Sequence, residues 1–178
     1  MNNIRLAQPL LIRLARLEDV DALHAACFPD EGYDCVEDYL RWCLESPERP
    51  ARLVALLDDY LVAHVELTPR QNAMWAEVSH LVMAKPFLQP QLEQRVVAGA
   101  ARFAQRWGCS HIRLQLPVQA QQQIKKYESW GFDVHGFPLG GYCWLTLPVT
   151  RYPLPYPNLF QPPVPLPMQQ EVVSAGYR

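Results

Sequence analysis

Residues 76–108, AEVSHLVMAKPFLQPQLEQRVVAGAARFAQRWG, decide the fold of this chain. The stretch opens as a strand, crosses a loop that ends at Pro90, and continues with the apolar spacing of a helix. Pro90 suits the first turn of that helix, and Gly108 suits its end. Its predicted buried face comprises Leu92, Val96, Ala100, Phe103, Ala104 and Trp107. A long strand at 75–83 followed by a long amphipathic helix predicts a mixed α/β domain built around that strand.

The flanking sequence supplies the other layers of this domain. Before the central strand, the patterns predict a strand at 10–14, helices at 16–28 and 36–44, and strands at 52–57 and 60–68 that turn at 58–59. After the long helix they predict a strand at 111–116, a helix at 120–130 and strands at 133–137 and 142–147. The predicted fold class is α/β (α+β), with a twisted mixed sheet, mostly antiparallel, flanked by helices.

The composition excludes several classes of function. The 178 residues suit one domain with an appendage, and 16 Lys+Arg against 18 Asp+Glu leave no basic excess for nucleic acid. The apolar runs are too short to span a bilayer, and the first residues lack the pattern of a secretory signal. Five cysteines without metal-ligand spacing fit neither a disulfide framework nor a zinc site. We therefore expect a cytoplasmic protein without a metal, a membrane partner or a nucleic-acid partner.

The composition changes once, at Pro148. Eight of the 17 prolines lie in residues 148–178, which predicts a domain at 1–147 followed by an extended Pro-rich tail at 148–178. The tail also carries Tyr152, Tyr156 and Phe160, whereas disordered linkers are poor in aromatic residues. We therefore expect the tail to be ordered, either against its own domain or across a second subunit, where it would form a homodimer.

Element order and two segments resemble the GNAT acyltransferases, the Gcn5-related N-acetyltransferases. Residues 76–108 resemble the family's central strand, cofactor loop and long helix, and IKKYESWGF at 124–132 resembles the family's FYEKLGF segment. The resemblance covers residues 10–148. It implies the GNAT fold and transfer of an acyl group from acetyl-CoA or another acyl-CoA to a small-molecule or peptide amine.

The resemblance also gives roles to five residues. Tyr127 stands where the family's general-acid tyrosine stands, and Glu77 lies where many members place a general base. Leu81, Val82 and Met83 form the strand end where the family's main chain binds the pantetheine arm of the cofactor. A structural interpretation stays open for each: packing for Tyr127, an outward-facing strand residue for Glu77, and core strand for residues 81–83.

Two strand histidines and an acidic loop are weaker candidates. Three residues separate His80 from Glu77, so we expect the two side chains to face opposite sides of the pleat, with His64 near either one. The loop PDEGYD at 29–34 carries three acids, which suit a cationic amine and are equally typical of a solvated loop.

The cofactor loop departs from the family pattern, which has Arg or Gln followed by two glycines. Leu88 holds the Arg/Gln place, and Gln91 and Glu93 hold the glycine places. Glycines there let backbone N–H groups approach the pyrophosphate of coenzyme A, and Glu93 places an unpaired anion at the helix N-terminus instead. Pro90 has no N–H, and Ala120 replaces an Asn that often contacts coenzyme A. We expect weak acetyl-CoA binding, or none.

Three functions remain open from the sequence. The first is an N-acyltransferase with an altered cofactor loop, supported by Tyr127 and Glu77. The second is a GNAT-fold binding or structural module that has lost catalysis and normal coenzyme A binding. The third is a small-molecule sensor that uses the family's cleft for another ligand.

Overall fold

The structure, a computed structural model, describes residues 9–45, 50–70, 74–135 and 139–151. Within these ranges seven strands form one sheet, in the order β1-β2-β3-β4-β5-β7-β6. The strands are β1 Leu10–Leu14, β2 Ala51–Leu57, β3 Tyr60–Pro69, β4 Trp75–Met83, β5 His111–Pro117, β6 Asp133–His135 and β7 Tyr142–Pro148. The helices are α1 Val20–Cys27, α2 Tyr33–Leu44, α3 Pro90–Arg106 and α4 Gln121–Ser129. None of these helices is long and apolar enough to cross a membrane.

The sheet has the predicted character. Strand β4 lies at its centre, between β3 and β5, and pairs in parallel with β5, whereas the other neighbouring strands pair antiparallel. The turn between β2 and β3 is as tight as its sequence indicated, because Asp58 and Asp59 both adopt positive φ, at 48° and 65°. The mixed, mostly antiparallel fold class is confirmed.

Two helix starts differ from the sequence prediction. The first predicted helix begins as a 3₁₀ turn at Leu17–Asp19, and α1 itself begins at Val20. Helix α2 begins at Tyr33, because its first turn is exposed and so carries no apolar periodicity to read.

The helices cover the two faces of the sheet. Helix α3 buries its predicted apolar face against one side of the sheet, where Trp107 is partly buried at the rim and Gly108 ends the helix at φ +80°. The second cluster, on the other side, joins α1 and α2 to the sheet; its buried members are Ala15, Val20, Leu23, Cys27, Leu40, Val54 and Leu61.

The folded chain continues past the domain boundary expected after residue 147. Pro148 pairs with His111 at the end of β7, where a strand tolerates the missing N–H. Val149 is 1% exposed, and its N–H donates to the carbonyl of Ser110. The described chain ends at Arg151, so the expected ordered tail and tail-mediated homodimer concern residues outside the described ranges.

Candidate active site

An opening lies at the centre of the sheet. Strands β4 and β5 pair only over Trp75–Glu77 in the described part of the chain. Beyond that point β4 follows β3 as far as Met83, and β5 follows β7 as far as Pro117. The two central strands therefore diverge.

The register of β4 determines which main-chain groups face this opening. The N–H of Ala84 donates to the carbonyl of Val62 on β3, and peptide directions alternate along a strand. The N–H and C=O groups of Leu81 and Met83 therefore point away from β3, into the opening. The main chain of Val82 points toward β3, so two of the three residues expected to bind the cofactor present main-chain groups to the opening.

A β-bulge interrupts β4 next to the opening. Ser79 lies opposite Glu66, and Val82 lies opposite His64, so residues 80 and 81 face the single residue 65. His80 occupies this bulge with a φ of +46°. A bulge adds one residue to the strand and changes which face the following side chains reach.

The bulge places His80 and Glu77 on the same face of the sheet. Cross-strand pairing puts Glu77 on the face of Glu66, and the Nδ1 atom of His80 lies 2.9 Å from the Oε2 atom of Glu66. The expectation that Glu77 and His80 face opposite sides is therefore wrong, because strict alternation ends at the bulge.

A buried polar network surrounds Glu66. Its Oε2 atom accepts hydrogen bonds from the hydroxyl of Tyr39 at 3.2 Å and from Nδ1 of His80, and it lies 3.1 Å from Nη2 of Arg52. The Nη1 atom of Arg52 lies 2.8 Å from Nε2 of His64, and the guanidinium stacks 3.9 Å from the centre of the Tyr39 ring. Arg52, His64 and Glu66 are all less than 9% exposed.

The network fixes the charge of its members. Burial, together with the charge of Arg52, lowers the pKa of His64 to about 3, so His64 is neutral at physiological pH. Because Arg52 can only donate, Nε2 of His64 is the acceptor and Nδ1 carries the hydrogen. Burial raises the pKa of Tyr39 to about 12. The network therefore holds one cation, Arg52, against one anion, Glu66.

A cavity of about 390 Å³ lies over this network, between the sheet and the α1–α2 pair. Its apolar lining comprises Leu23, Phe28, Val36 and Leu40. Its other lining residues are Glu31, Cys35, Tyr39, Arg52, His64 and His80. Glu31 belongs to the acidic loop at 29–34, so one of the three loop acids reaches this cavity.

Glu77 is held in an ion pair outside the cavity lining. Its Oε2 atom accepts hydrogen bonds from Nε of Arg70 at 3.0 Å and from Nη2 of the same guanidinium. The Glu77 side chain is 19% exposed, while that of Arg70 is half exposed. Glu77 is therefore a carboxylate whose proton affinity is already opposed by a neighbouring cation.

Tyr127 binds a carboxylate at the start of α3. Its hydroxyl donates to Oε1 of Glu93 at 3.1 Å, and Nζ of Lys126 lies 2.7 and 2.9 Å from the two oxygens of the same carboxylate. Burial, followed by the charge and hydrogen bond of Glu93, raises the pKa of Tyr127 above its usual value. Glu93 was expected to be unpaired, and that expectation is wrong, because Lys126 and Tyr127 link it to α4.

The N-terminus of α3 offers few donors to an anion. Pro90 is its first residue and has no N–H, and the N–H of Glu93 donates to the carbonyl of Gln89 at 3.0 Å. The N–H groups of Gln91 and Leu92 remain as the donors of the first turn. The Glu93 side chain lies beside them, whereas Leu88 is 66% exposed.

Sequence reasoning missed Tyr39, Arg52 and Glu66. Arg52 and Glu66 did carry a signal, because each is a charged residue inside an otherwise apolar strand, and such residues need a buried partner. Their pairing across β2 and β3 could not be read without the register. In the described residues, no group of three His, Cys, Asp or Glu is placed to hold a metal ion.

Comparison with known families identifies the fold. A family model described as "Acetyltransferase (GNAT) family" matches residues 17–132, which include the central strand, the opening and Tyr127. The chain belongs to the GNAT family. A search of curated protein sequences found no match.

Solved structures support the same fold. The spermidine N-acetyltransferase from Vibrio cholerae in complex with CoA and spermine is 17% identical, with a TM-score of 0.66 over 80% of this chain and 97% of that one. A dodecameric structure of the same enzyme in an intermediate state gives a TM-score of 0.64 at 17% identity, over 80% and 95% of the two chains. These similarities show a shared fold.

Proposed function

We propose that this GNAT protein is an N-acyltransferase that moves an acyl group from acetyl-CoA or another acyl-CoA to an amine. One observation carries the proposal: His80 lines the cavity, and its chain neighbour Leu81 turns its main chain into the opening between β4 and β5. A donor in the opening and an acceptor in the cavity would therefore meet at residues 80–81.

The transfer needs a group that accepts the amine proton. His80 donates its Nδ1–H to Glu66 when neutral, which leaves Nε2 as a base. We infer that His80 takes the proton as the amine nitrogen attacks the thioester carbonyl, forming the C–N bond and breaking the C–S bond. Glu77, the base implied by the family resemblance, is the competing assignment, and its ion pair with Arg70 favours His80.

The leaving thiolate needs a proton donor. Tyr127 is the proposed acid, and its hydroxyl would exchange Glu93 for the thiolate sulfur as the C–S bond breaks. The main-chain groups of Leu81 and Met83 are the proposed contacts for the pantetheine arm, which extends the carry-over from the family to the two residues that face the opening.

Mass spectrometry of amines incubated with acetyl-CoA tests the proposal, with thiol release giving the rate. We expect His80→Asn to lower kcat about 10²–10⁴-fold, because a general base is removed while Asn tolerates the positive φ. His135→Gln, an exposed change on β6, is the matched control. A comparable loss in Glu77→Gln, with His80→Asn active, would assign the base to Glu77; no acylated product from wild type would refute the proposal.

The second candidate is a module that has lost catalysis. The position of Glu93 favours it, since a carboxylate at the start of α3 competes with a pyrophosphate for the same donors and for Lys126. Calorimetric titration with acetyl-CoA and free CoA separates the two: the module, and the sensor proposed beside it, would show no binding of either at millimolar concentration.

A further inference from the structure

We propose that the cavity binds a primary amine carried on one compact apolar body, about the size of a phenyl ring with a short chain, and excludes polyamines. This inference rests on the proposed function, in which the cavity is the acceptor site. It specifies the substrate class from the shape, the walls and the charge of the cavity.

The size and walls of the cavity favour a compact apolar ligand. Its volume of about 390 Å³ lies at the small end of the ~300–1,000 Å³ typical of small-molecule sites. Leu23, Val36 and Leu40 supply aliphatic walls from α1 and α2. A ligand body that replaces water against these walls gains the free energy of apolar burial.

Two fixed aromatic rings add a preference for a flat body. Phe28 packs edge-on against His64, with ring centres 5.3 Å apart. Tyr39 is held by its hydrogen bond to Glu66 and by the guanidinium of Arg52 on its ring. Both rings line the cavity with their positions set by buried neighbours, so an aromatic ligand meets preformed edge-to-face partners.

The charge of the cavity opposes a polyamine. The Oε2 atom of Glu66 already binds Tyr39, His80 and Arg52, and Arg52 brings a buried positive charge to the wall. Glu31 is the remaining acid among the described lining residues, and it is exposed. A chain of several ammonium groups would bury cations against apolar walls and Arg52 without matching carboxylates, which is costly.

A single amine avoids this cost. Its nitrogen reacts as the neutral base, after its proton has left, so the cavity need not bury a permanent cation. One ammonium can approach past Glu31 at the α1–α2 loop and give up its proton at His80.

Protein-observed NMR titration of the full chain, without any acyl-CoA, tests this inference. The probes are 2-phenylethylamine, spermidine, and phenylacetate, which keeps the ring and reverses the charge. We expect 2-phenylethylamine to shift the resonances of Cys35, Tyr39 and His80, with a Kd at least about tenfold below those of the other two probes. Equal or tighter binding of spermidine, tighter binding of phenylacetate, or no binding of 2-phenylethylamine would each overturn it.

Two cavity-filling variants locate the binding. Val36→Phe should abolish the shifts, and Cys35→Phe, at an exposed lining position with less risk to folding, should weaken binding. Val134→Phe, on exposed β6, is the matched control and should bind like wild type. Binding unchanged in a folded Cys35→Phe would place the ligand elsewhere. Because no donor is present, amine binding without transfer would contradict the proposed function and leave this inference standing.

Discussion

Glu93 brings together the features that separate this chain from the usual cofactor loop. It stands in a glycine place of the loop pattern, at the start of α3, and binds Lys126 and Tyr127 on α4. The same contacts stabilise the α3–α4 junction and consume a cation that could hold a phosphate. The residue therefore couples a structural gain to a weaker anion site.

Replacing Glu93 by Gln separates these two effects. Glu93→Gln keeps an acceptor oxygen for Tyr127, removes the negative charge and releases Lys126. We predict acetyl-CoA binding about tenfold tighter, or ~1.4 kcal/mol, because the repulsion of the pyrophosphate is lost. Calorimetry measures it, with Glu128→Gln, an exposed change on α4, as control. Equal affinity of wild type and Glu93→Gln would contradict the electrostatic argument.

Tyr127 has a catalytic and a structural interpretation that one variant separates. Tyr127→Phe keeps the ring among Trp130 and Phe132 and removes only the hydroxyl. If Tyr127 is the acid, we predict a fall in kcat of about 10²–10⁴-fold, with a change in Tm of a few degrees at most. Steady-state kinetics and thermal melts on the same preparation measure both. A lower Tm with unchanged kcat would assign the hydroxyl to the Glu93 contact alone.

At the scale of elements, the packing of α3 on β1 depends on Gly99. A Cβ atom added there would lie 1.9 Å from Cδ1 and 3.1 Å from Cγ1 of Ile12. Gly99→Ala gains helix propensity of about 1 kcal/mol but overpacks the core, and we predict a net loss of stability of about 1–2 kcal/mol. Denaturant unfolding measures it.

The matched double variant identifies the cause. Ile12→Val removes the Cδ1 atom that meets the new methyl, so Gly99→Ala should cost less in the Ile12→Val background than in wild type. Equal costs in both backgrounds would show that Ile12 is not the obstacle.

The elements also show how far sequence reasoning reaches. Strand β4, helix α3 and the tight turn at 58–59 could be predicted, because periodicity and turn residues are local signals. The bulge at His80 could not, since a histidine in a strand carries no signal for positive φ. The cavity depends on residues 39, 52, 66 and 80, which only the register of three strands and the packing of α2 bring together. The pairing of Glu93 was missed because Lys126 lies 33 positions away.

At the scale of the whole molecule, the end of the domain determines which truncations fold. Val149 is buried in the α3 side of the core, and its main chain binds Ser110. We predict that a chain ending at Leu147 is about 2 kcal/mol less stable than one ending at Arg151, because the burial of Val149 is lost. Denaturant unfolding compares the two, and equal stability would contradict the burial of Val149.

The chain ending at Arg151 also tests the Pro-rich tail. If residues 152–178 dock across a second subunit, the full chain is a dimer by light scattering and the shortened chain is a monomer. If they dock on their own domain, both are monomers and the full chain has the higher Tm. Identical mass and Tm, with rapid proteolysis of the tail, would contradict docking.

The central claim is that this GNAT protein still transfers acyl groups although Glu93 weakens its donor site. The direct measurement is the rate of CoA thiol release as a function of acetyl-CoA concentration, at saturating 2-phenylethylamine, for wild type and Glu93→Gln. We predict transfer by both, with a KM for acetyl-CoA well above the low-micromolar range in wild type and about tenfold lower in Glu93→Gln. The absence of amine-dependent thiol release from both proteins would contradict the account.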